Sequence, residues 1–552
     1  MTPLVGDGSS TVNSVDRTHT NGTIDSATRH DGENTNGHNV TVSKPRFLII
    51  GAGSRGNAYA AAIVRSGLGI VAAVVEPIAF QREQLGQKYI WHDTERTADQ
   101  EYGDWRGFIT AEHERRSIQS ELHLASQPGP AEVDGVFVCV RDELHCEVVT
   151  ALAPLGLHVM CEKPLATTLS DCLSIQQTLT SYPQRIFAIG HVLRYSPHNM
   201  LLRHLLLEQT AIGDVLSVEH TEPVGWWHFS HSYVRGQWRK ESISAPSLLT
   251  KSCHDIDFLL WMLCSPATAS GEQKSPAHLP SSVSSAGSLK QFRRSMKPKK
   301  AGNATNCLSC PIKESCMYSA PRIYHDRHLA KGNARWPVHI VNPEVESILV
   351  SQGLEKAKEV LFATLAEDYD AATTPVQDIE SRPWFGRCVW ESDNDVCDDQ
   401  VVTFEWDDRP ETGRGAKTAI FHMIAQTLSQ CERRGRVYGT SGEISYDSKS
   451  ITIHDFTTNQ TTRHNPEVPK NSHHGGGDDG LTECFVKAVA AVKGGKMAVL
   501  EAQQSFLGCD LDDVIRSHAA VFAAEEARRE KKVVDWSEWW RRNVERPLAE
   551  KH

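Results

Sequence analysis

The chain has 552 residues, more than one ordinary domain holds, so two domains with extensions are expected. Its 58 Lys and Arg stand against 69 Asp and Glu, a net charge of −11 with no basic domain, which argues against nucleic acid as a partner. No run of 18 apolar residues is present to span a membrane, and the N-terminus MTPLVGDGSS lacks the basic and apolar regions of a signal peptide. The fourteen cysteines then fit a reducing, cytoplasmic setting with free or metal-bound thiols, and the sequons at Asn21, Asn39 and Asn303 read as chance matches.

Residues 1–44 are rich in Thr, Ser, Asn, Gly, Asp and His and are expected to be a disordered tail. Order begins with an apolar strand at Phe47 to Ile50, followed by the loop GAGSRG at 51–56 and a helix-like run from Asn57 to Arg65. A second apolar strand, Ile70 to Val75, ends at Glu76, and a helix runs to about Tyr89. Residues 90–130 are polar and read as irregular, with a short strand around Phe108. A strand at Gly135 to Val140, a helix from about Leu144 to Leu155 and a strand at Leu157 to Cys161 complete an alternating pattern. Such alternation predicts a doubly wound parallel sheet of α/β class, a Rossmann domain over 45–190.

Beyond about residue 190 the pattern becomes one of longer alternating segments: Val215 to Val224, Gln400 to Trp406, Thr418 to Gln426, Glu443 to Tyr446 and Ile451 to Phe456. They predict an α+β domain over 191–535 with a large, mostly antiparallel open sheet. Residues 265–305 read as a surface insertion, part of a cysteine-containing insertion reaching about 385. Residues 480–494 and 499–530 read as closing helices, and 536–552 as a C-terminal tail.

The glycine loop has a defined physical use. Gly51 and Gly53 allow a tight turn and close approach to a pyrophosphate, and Gly56 lets the helix pack on the sheet. Ser54 and Arg55 open that helix, whose free N–H groups and positive dipole end face the phosphates. Glu76 stands 20 residues beyond Gly56, where a carboxylate accepts ribose hydroxyls and repels a 2′-phosphate. NAD is therefore expected rather than NADP, with Arg82 close enough to weaken the choice. Glu162-Lys163-Pro164, at the end of a later strand, adds a lysine able to touch a substrate hydroxyl. His145 is expected to line the cofactor pocket, and Arg194 with Tyr195 to frame the nicotinamide or substrate.

These stretches, with DGVFVCVRDELH at 134–145, GLHVMCEKPLA at 156–166, HVLRYSP at 191–197 and CHDIDFLLW at 253–261, resemble the Gfo/Idh/MocA oxidoreductases in order. The resemblance implies a Rossmann domain followed by an α+β domain whose open sheet often builds oligomer contacts, hence a homo-oligomer. It also implies hydride transfer between NAD and a sugar or polyol carbon. In that family the EKP lysine binds the reacting hydroxyl, a role that falls on Lys163, with Glu162 beside it. The family's Asp-x-x-x-His histidine matches His254, the expected general base, but its i−4 partner here is Thr250, which carries no charge. Asp255 and Asp257 follow directly, and Asp257, at i+3, can share a helical face with His254; the alternatives are a structural histidine or an enzyme in which the adjacent cationic Lys251 takes part. Two other roles known on this fold remain open, a redox-assisted NAD-dependent glycosidase and a non-catalytic dinucleotide-binding regulator.

Three further features carry chemistry. The run WWHFSHSYVRGQWRK at 226–240 offers Trp226, Trp227, Tyr233 and Trp238 for stacking on a sugar ring and Arg235 or Arg239 for a carboxylate, or else packs between sheet and insertion. Cys307-x2-Cys310-x5-Cys316, with Cys388 as the first candidate for a fourth ligand and His325 or His328 as others, suits a structural zinc; plain thiols and an iron–sulfur cluster are the alternatives. The segment His473 to Asp479 reads equally as a pocket loop, with His474 or Asp478 bonding a hydroxyl, or as a connection ending in a helix cap.

Overall fold

The computed structural model describes residues 43–92, 95–121, 132–264, 277–469 and 474–550. Most of the expected disordered tail, and His473, lie outside them.

Six strands form a parallel sheet: β1 (Arg46–Ile50), β2 (Ile70–Val75), β3 (Glu101–Tyr102), β4 (Gly135–Val138), β5 (His158–Cys161) and β6 (Phe187–Ile189), in the order β3-β2-β1-β4-β5-β6. Every pairing is parallel. The strands are apolar on both faces because helices cover both faces. Helix Ser54–Ser66 buries Tyr59, Ala60 and Ile63 on one of them. That layer is completed from the far end of the chain: helix Gly477–Lys493 sets Phe485 against Phe47 and Phe137 at ring distances of 5.8 and 5.3 Å.

The second sheet has nine strands. They are β7 (Val215–Pro223), β8 (Ser282–Ser288), β9 (Asp399–Trp406), β10 (Lys417–Ile424), β11 (Arg434–Gly439), β12 (Gly442–Tyr446), β13 (Ile451–Asp455), β14 (Gln460–His464) and β15 (Val534–Asp535). Their order is β14-β13-β12-β11-β7-β10-β9-β8-β15, antiparallel except for the parallel pair β7 and β10. Helix Ser247–Leu263, buried almost all round although it carries Thr250, Lys251, His254, Asp255 and Asp257, lies between this sheet and helix Leu511–Glu530.

Four expectations need correction. The polar stretch 90–130 contains a helix, Trp105–Glu121, and Phe108 is a buried helical residue rather than part of a strand. Its polar composition hides an i, i+3 and i+4 arrangement in which buried Glu112 pairs with Arg115 at 2.7 Å and Arg116 at 2.6 Å. The supposed surface insertion 265–305 supplies β8, which takes its place through backbone pairing with β9 and β15 and needs few large side chains. The later part of the insertion has a core of its own around Ile323, Tyr324, Leu329, Leu361 and Phe385. The expected tail is helical from Trp536 to Glu550, and buried Trp536 and Trp539 join the main core. Among the described residues no helix is long and apolar enough to cross a membrane.

Candidate active site

The glycine loop follows β1. Gly51 has φ +99°, and a Cβ there would stand 2.4 Å from the Cys139 carbonyl oxygen; at Gly56 it would stand 1.9 Å from the Gly51 carbonyl oxygen. Side chains are thus excluded at both positions. Gly53, by contrast, faces open space and caps helix Ser54–Ser66 without any side-chain hydrogen bond, leaving the first amides of the helix directed at that space. Glu76 ends β2 with its carboxylate accepting from the amides of Ala52 at 2.8 Å and Ile78 at 3.0 Å. Arg82 is held by Glu101 at 3.1 Å and by the Glu76 carbonyl at 2.6 Å, so it is not free to recruit a phosphate. An anion-receptive helix end, a cleared glycine cradle and an acid at the end of β2 fit a dinucleotide bearing an unphosphorylated ribose. Ser54 carries one further contact, its hydroxyl lying 3.1 Å from Nε2 of His339 on the insertion.

At the end of β5, Glu162 accepts from Arg55 at 2.7 Å, from the Tyr59 hydroxyl, and from the Lys163 amide at 3.1 Å. Burial alone would raise its carboxyl pKa; the Arg55 and Lys163 cations outweigh it and hold the pKa below the ordinary range. Arg55 also pairs with Asp478 at 2.8 Å, so its guanidinium is committed to two carboxylates. The Lys163–Pro164 peptide is cis. Lys163 Nζ donates to the Thr250 carbonyl at 2.9 Å and lies 5.9 Å from the Trp238 ring centroid. The Trp238 indole donates in turn to Asp142 at 2.8 Å.

His254 sits on helix Ser247–Leu263 with 6% exposure, and its Nδ1 is buried without a hydrogen-bond partner. Its ring centroid is 6.3 Å from that of His191 and 6.2 Å from that of His474. Burial first, then the Lys163 cation, pushes its pKa well below the usual imidazole value, so the ring is neutral at neutral pH. Thr250 offers it nothing from one turn before, since the hydroxyl points to the Pro246 carbonyl at 3.4 Å. Asp257 does not compensate either: it forms a two-bond pair with Arg194 at 2.8 and 2.7 Å and meets His191 at 3.0 Å. Lys251 is paired with Glu222 at 3.0 Å and donates to Cys431 at 3.1 Å.

Residues 45–191 match the model of the oxidoreductase family with NAD-binding Rossmann fold, Gfo/Idh/MocA. The matched region, about a quarter of the chain, is similar to the NAD-binding domain of that family. The chain is 31% identical over 134 residues to inositol 2-dehydrogenase 2 of Saccharopolyspora erythraea, which is 24% of this chain and 36% of that one. It is 28% identical over 131 residues to 2,7-anhydro-N-acetylneuraminate hydratase of Escherichia coli, 24% of this chain and 34% of that one. The chain thus spans about a third of the length of the curated relatives it matches. The fold likeness is wider. Levoglucosan dehydrogenase in complex with NADH and levoglucosan aligns with a TM-score of 0.54 at 13% identity, over 89% of this chain and 99% of that one. An oxidoreductase from Agrobacterium radiobacter in complex with NAD+, L-tartaric acid and magnesium gives 0.52 at 13% identity, over 89% and 98%. The likeness in fold therefore extends over both sheets.

Two residues expected at the cofactor are engaged by protein groups. Arg194 is buried in its pair with Asp257, which leaves its guanidinium no freedom to frame a nicotinamide. His145 is fully buried, with Nδ1 2.7 Å from the Pro164 carbonyl oxygen and Nε2 3.3 Å from that of Val140, and so braces the turn behind Lys163. Tyr195 bonds the Leu507 carbonyl at 3.0 Å. In the aromatic run Trp238 lies beside Lys163. Trp226 and Trp227 pack on Tyr318, His328 and Trp336; Arg235 and Arg239 are buried against main-chain carbonyls, Arg239 also on Asp393 at 2.7 Å. His474 lies 3.0 Å from Asp478, whose other contact is Arg55. Sequence reasoning overlooked Asp142, although the DELH stretch contains it, and Tyr59 one turn beyond Arg55.

The four cysteines Cys307, Cys310, Cys316 and Cys388 line one cavity with Arg235, Tyr318 and Trp390. His325 lies against Asp326 at 2.7 Å, and His328 packs on Trp227. Elsewhere His191, Cys253 and His518 place a donor atom each within 4.8 Å of one another. Both ring nitrogens of His518 are engaged, Nε2 by the Leu165 amide at 2.8 Å and Nδ1 by the Val514 carbonyl at 2.8 Å, so that trio is packing rather than a metal centre.

Proposed function

We propose that the chain is an NAD-dependent dehydrogenase acting on a secondary alcohol, or the matching ketone, of a sugar, polyol or related hydroxylated compound. The observation that carries the reading is Lys163, at the carboxyl end of β5 beside the glycine cradle, held by the Thr250 carbonyl from the helix that also bears His254. Gly51, Gly53, Ser54, Gly56 and Glu76 are the residues that hold NAD. When bound, the nicotinamide accepts or returns the hydride of the carbinol carbon. Lys163 donates to the substrate oxygen, and its ammonium stabilises the negative charge that grows there. His254, neutral in its buried setting, takes the hydroxyl proton and returns it in the reverse direction. Trp238, fixed by Asp142, offers an apolar ring face beside the lysine. The named relatives, an inositol dehydrogenase among them, favour a polyol or sugar.

The test is NADH formation by the purified chain over a panel of inositols, sugars and sugar acids. Nucleotide binding without turnover on any of them would favour the regulator, and sugar release without net NADH the glycosidase. Glu76→Ser is expected to weaken NAD binding about 10- to 100-fold, the worth of a hydrogen bond to a charged group, and to narrow the gap to NADP. Equal affinities for the two nucleotides in the unaltered protein would refute the role of Glu76.

The pH profile tests His254 directly. Because burial and Lys163 lower its pKa, protonation occurs only below the ordinary imidazole value. Alcohol oxidation should therefore hold its kcat/KM as pH falls through about 6.5, with the acid limb at lower pH. An acid limb centred at or above that value would contradict a buried, neutral base.

A further inference from the structure

A buried base has to lose each proton it takes. The carboxylates nearest His254 in sequence are committed elsewhere, Asp255 to Arg433 at 2.5 Å and His220 at 3.0 Å, and Asp257 to Arg194 at 2.7 Å. Lys163, Arg433, His474 and His191 are groups around His254 that can bear positive charge. Lys163 is given to the substrate oxygen. Arg433 pairs with Asp255 and with Glu222 at 3.1 Å, and a guanidinium does not release its proton in the working range. His191 is 1% exposed and set against Asp257 at 3.0 Å. His474 differs from all three: its ring centroid lies 6.2 Å from that of His254, and 35% of its side chain is exposed. We infer that His474, backed by Asp478, carries the proton between His254 and solvent. The inference rests on the role of His254 proposed above.

The chemistry of the pair suits that task. His474 Nδ1 lies 3.0 Å from an Asp478 carboxylate oxygen. Asp478 is 2% exposed, and burial alone would raise its carboxyl pKa; Arg55 and then His474 hold it far below the ordinary value, so it is ionised at neutral pH. An ionised carboxylate only accepts, so Nδ1 carries the hydrogen and Nε2 keeps the lone pair that receives a proton. The negative charge of Asp478 then steadies the imidazolium that forms. Asp478 is held in turn by Arg55 at 2.8 Å, which also pairs with Glu162 beside Lys163.

The main chain sets the ring in place. His474 has φ +49°, Gly475 +62° and Gly476 +89°, and a Cβ at Gly477 would stand 2.2 Å from the Val192 carbonyl oxygen. The turn is thus pressed onto the segment that follows His191. Glycine adopts a left-handed φ more readily than histidine, so the imidazole is carried there at a conformational cost. Two imidazoles in direct hydrogen bond have centroids about 5 Å apart. At 6.2 Å the gap is one that a bridging water or a small rotation of the exposed ring closes. In oxidation the C–H electron pair and its hydrogen leave as hydride for the nicotinamide, and the O–H proton goes to His254. His254 gives a proton to Nε2 of His474, which gives one to water, and both rings end neutral. Reduction runs the same steps backwards. Acting through His254, His474 is a positioning residue for the outgoing proton.

Two variants of the full chain test this. His474→Gln keeps a hydrogen bond to Asp478 but passes no proton; His474→Gly suits φ +49° and leaves room for free imidazole. Both should lose about 10- to 10²-fold in kcat for alcohol oxidation, with NAD affinity within a few-fold of the parent. Added imidazole should restore His474→Gly at least severalfold and leave His474→Gln and the parent unchanged. Independently of turnover, histidine-selective 15N labelling reads the exchange of the His254 ring proton with water, which should slow at least severalfold in His474→Gln. A parental exchange rate in His474→Gln would overturn the inference, as would a loss in His474→Gly that imidazole does not reduce. Absence of NADH formation by the parent on every substrate refutes the dehydrogenase reading instead, and the exchange rate then decides the relay alone.

Discussion

Lys163→Met is expected to lower kcat for alcohol oxidation by about 10²- to 10³-fold, the cost of removing one donor to a developing oxyanion. The physical reason is where the ammonium stands. Its Nζ has one fixed partner, the Thr250 carbonyl, and an aromatic face nearby, so it retains donors for a substrate oxygen. Charge on that oxygen is small in the bound alcohol and grows as hydride departs. The loss should therefore fall on kcat more than on KM, and NAD affinity should stay within a few-fold of the parent. His254→Asn should cost about 10²- to 10⁴-fold for want of a proton acceptor, and the double variant should be little worse than the poorer single, because the two groups serve one transition state. Steady-state rates and nucleotide titrations decide the matter. A Lys163→Met enzyme within threefold of the parent kcat would sink the mechanism.

The second large effect concerns stability. Asp257→Asn should destabilise the fold by about 3–5 kcal/mol, since it strands a buried guanidinium. Arg194 donates two hydrogen bonds to Asp257 at 2.8 and 2.7 Å where both side chains are buried, and His191 adds a third contact at 3.0 Å. Replacing both partners with apolar residues, Arg194→Met with Asp257→Leu, should recover much of the loss. Burial pushes the Asp257 carboxyl pKa up, but Arg194 and then His191 hold it far below the ordinary value. A carboxyl shifted downward on folding contributes stability that is complete above its unfolded pKa of about 3.9 and is lost as pH falls below it towards the folded value. Urea unfolding followed by tryptophan fluorescence measures both effects. A single Asp257→Asn variant within 1 kcal/mol of the parent would show that the pair is better solvated than its geometry implies.

What the sequence made legible was local. The strands of the parallel sheet are continuous apolar runs because both faces are covered, and the glycine loop announces itself because no other residue fits at Gly51 or Gly56. The helix Trp105–Glu121 escaped because its stabilising contacts are ion pairs around one buried glutamate, a pattern that composition reads as loop. The site was half legible for a different reason. Lys163 and His254 stand in short motifs, but what Arg194 does depends on Asp257, 63 residues away, and what Arg55 does depends on Asp478, 423 residues away. Near-neighbour reasoning assigned both arginines to a nucleotide; long-range pairing gives their charges to carboxylates. Cys388 shows the converse. Its sequence context offered only a candidate, and the bridge between Asn306 and Arg387 brings it to the cavity that the other three cysteines share.

One contact joins regions that chain order keeps apart. The hydroxyl of Ser54, on the glycine loop, meets His339 from the insertion at 3.1 Å across 285 residues of sequence. Any phosphate settling against that hydroxyl has to share it with the imidazole or displace it. On the proposed reading of the glycine loop, a nucleotide phosphate and the insertion compete for one hydroxyl, so the two meet at a single atom.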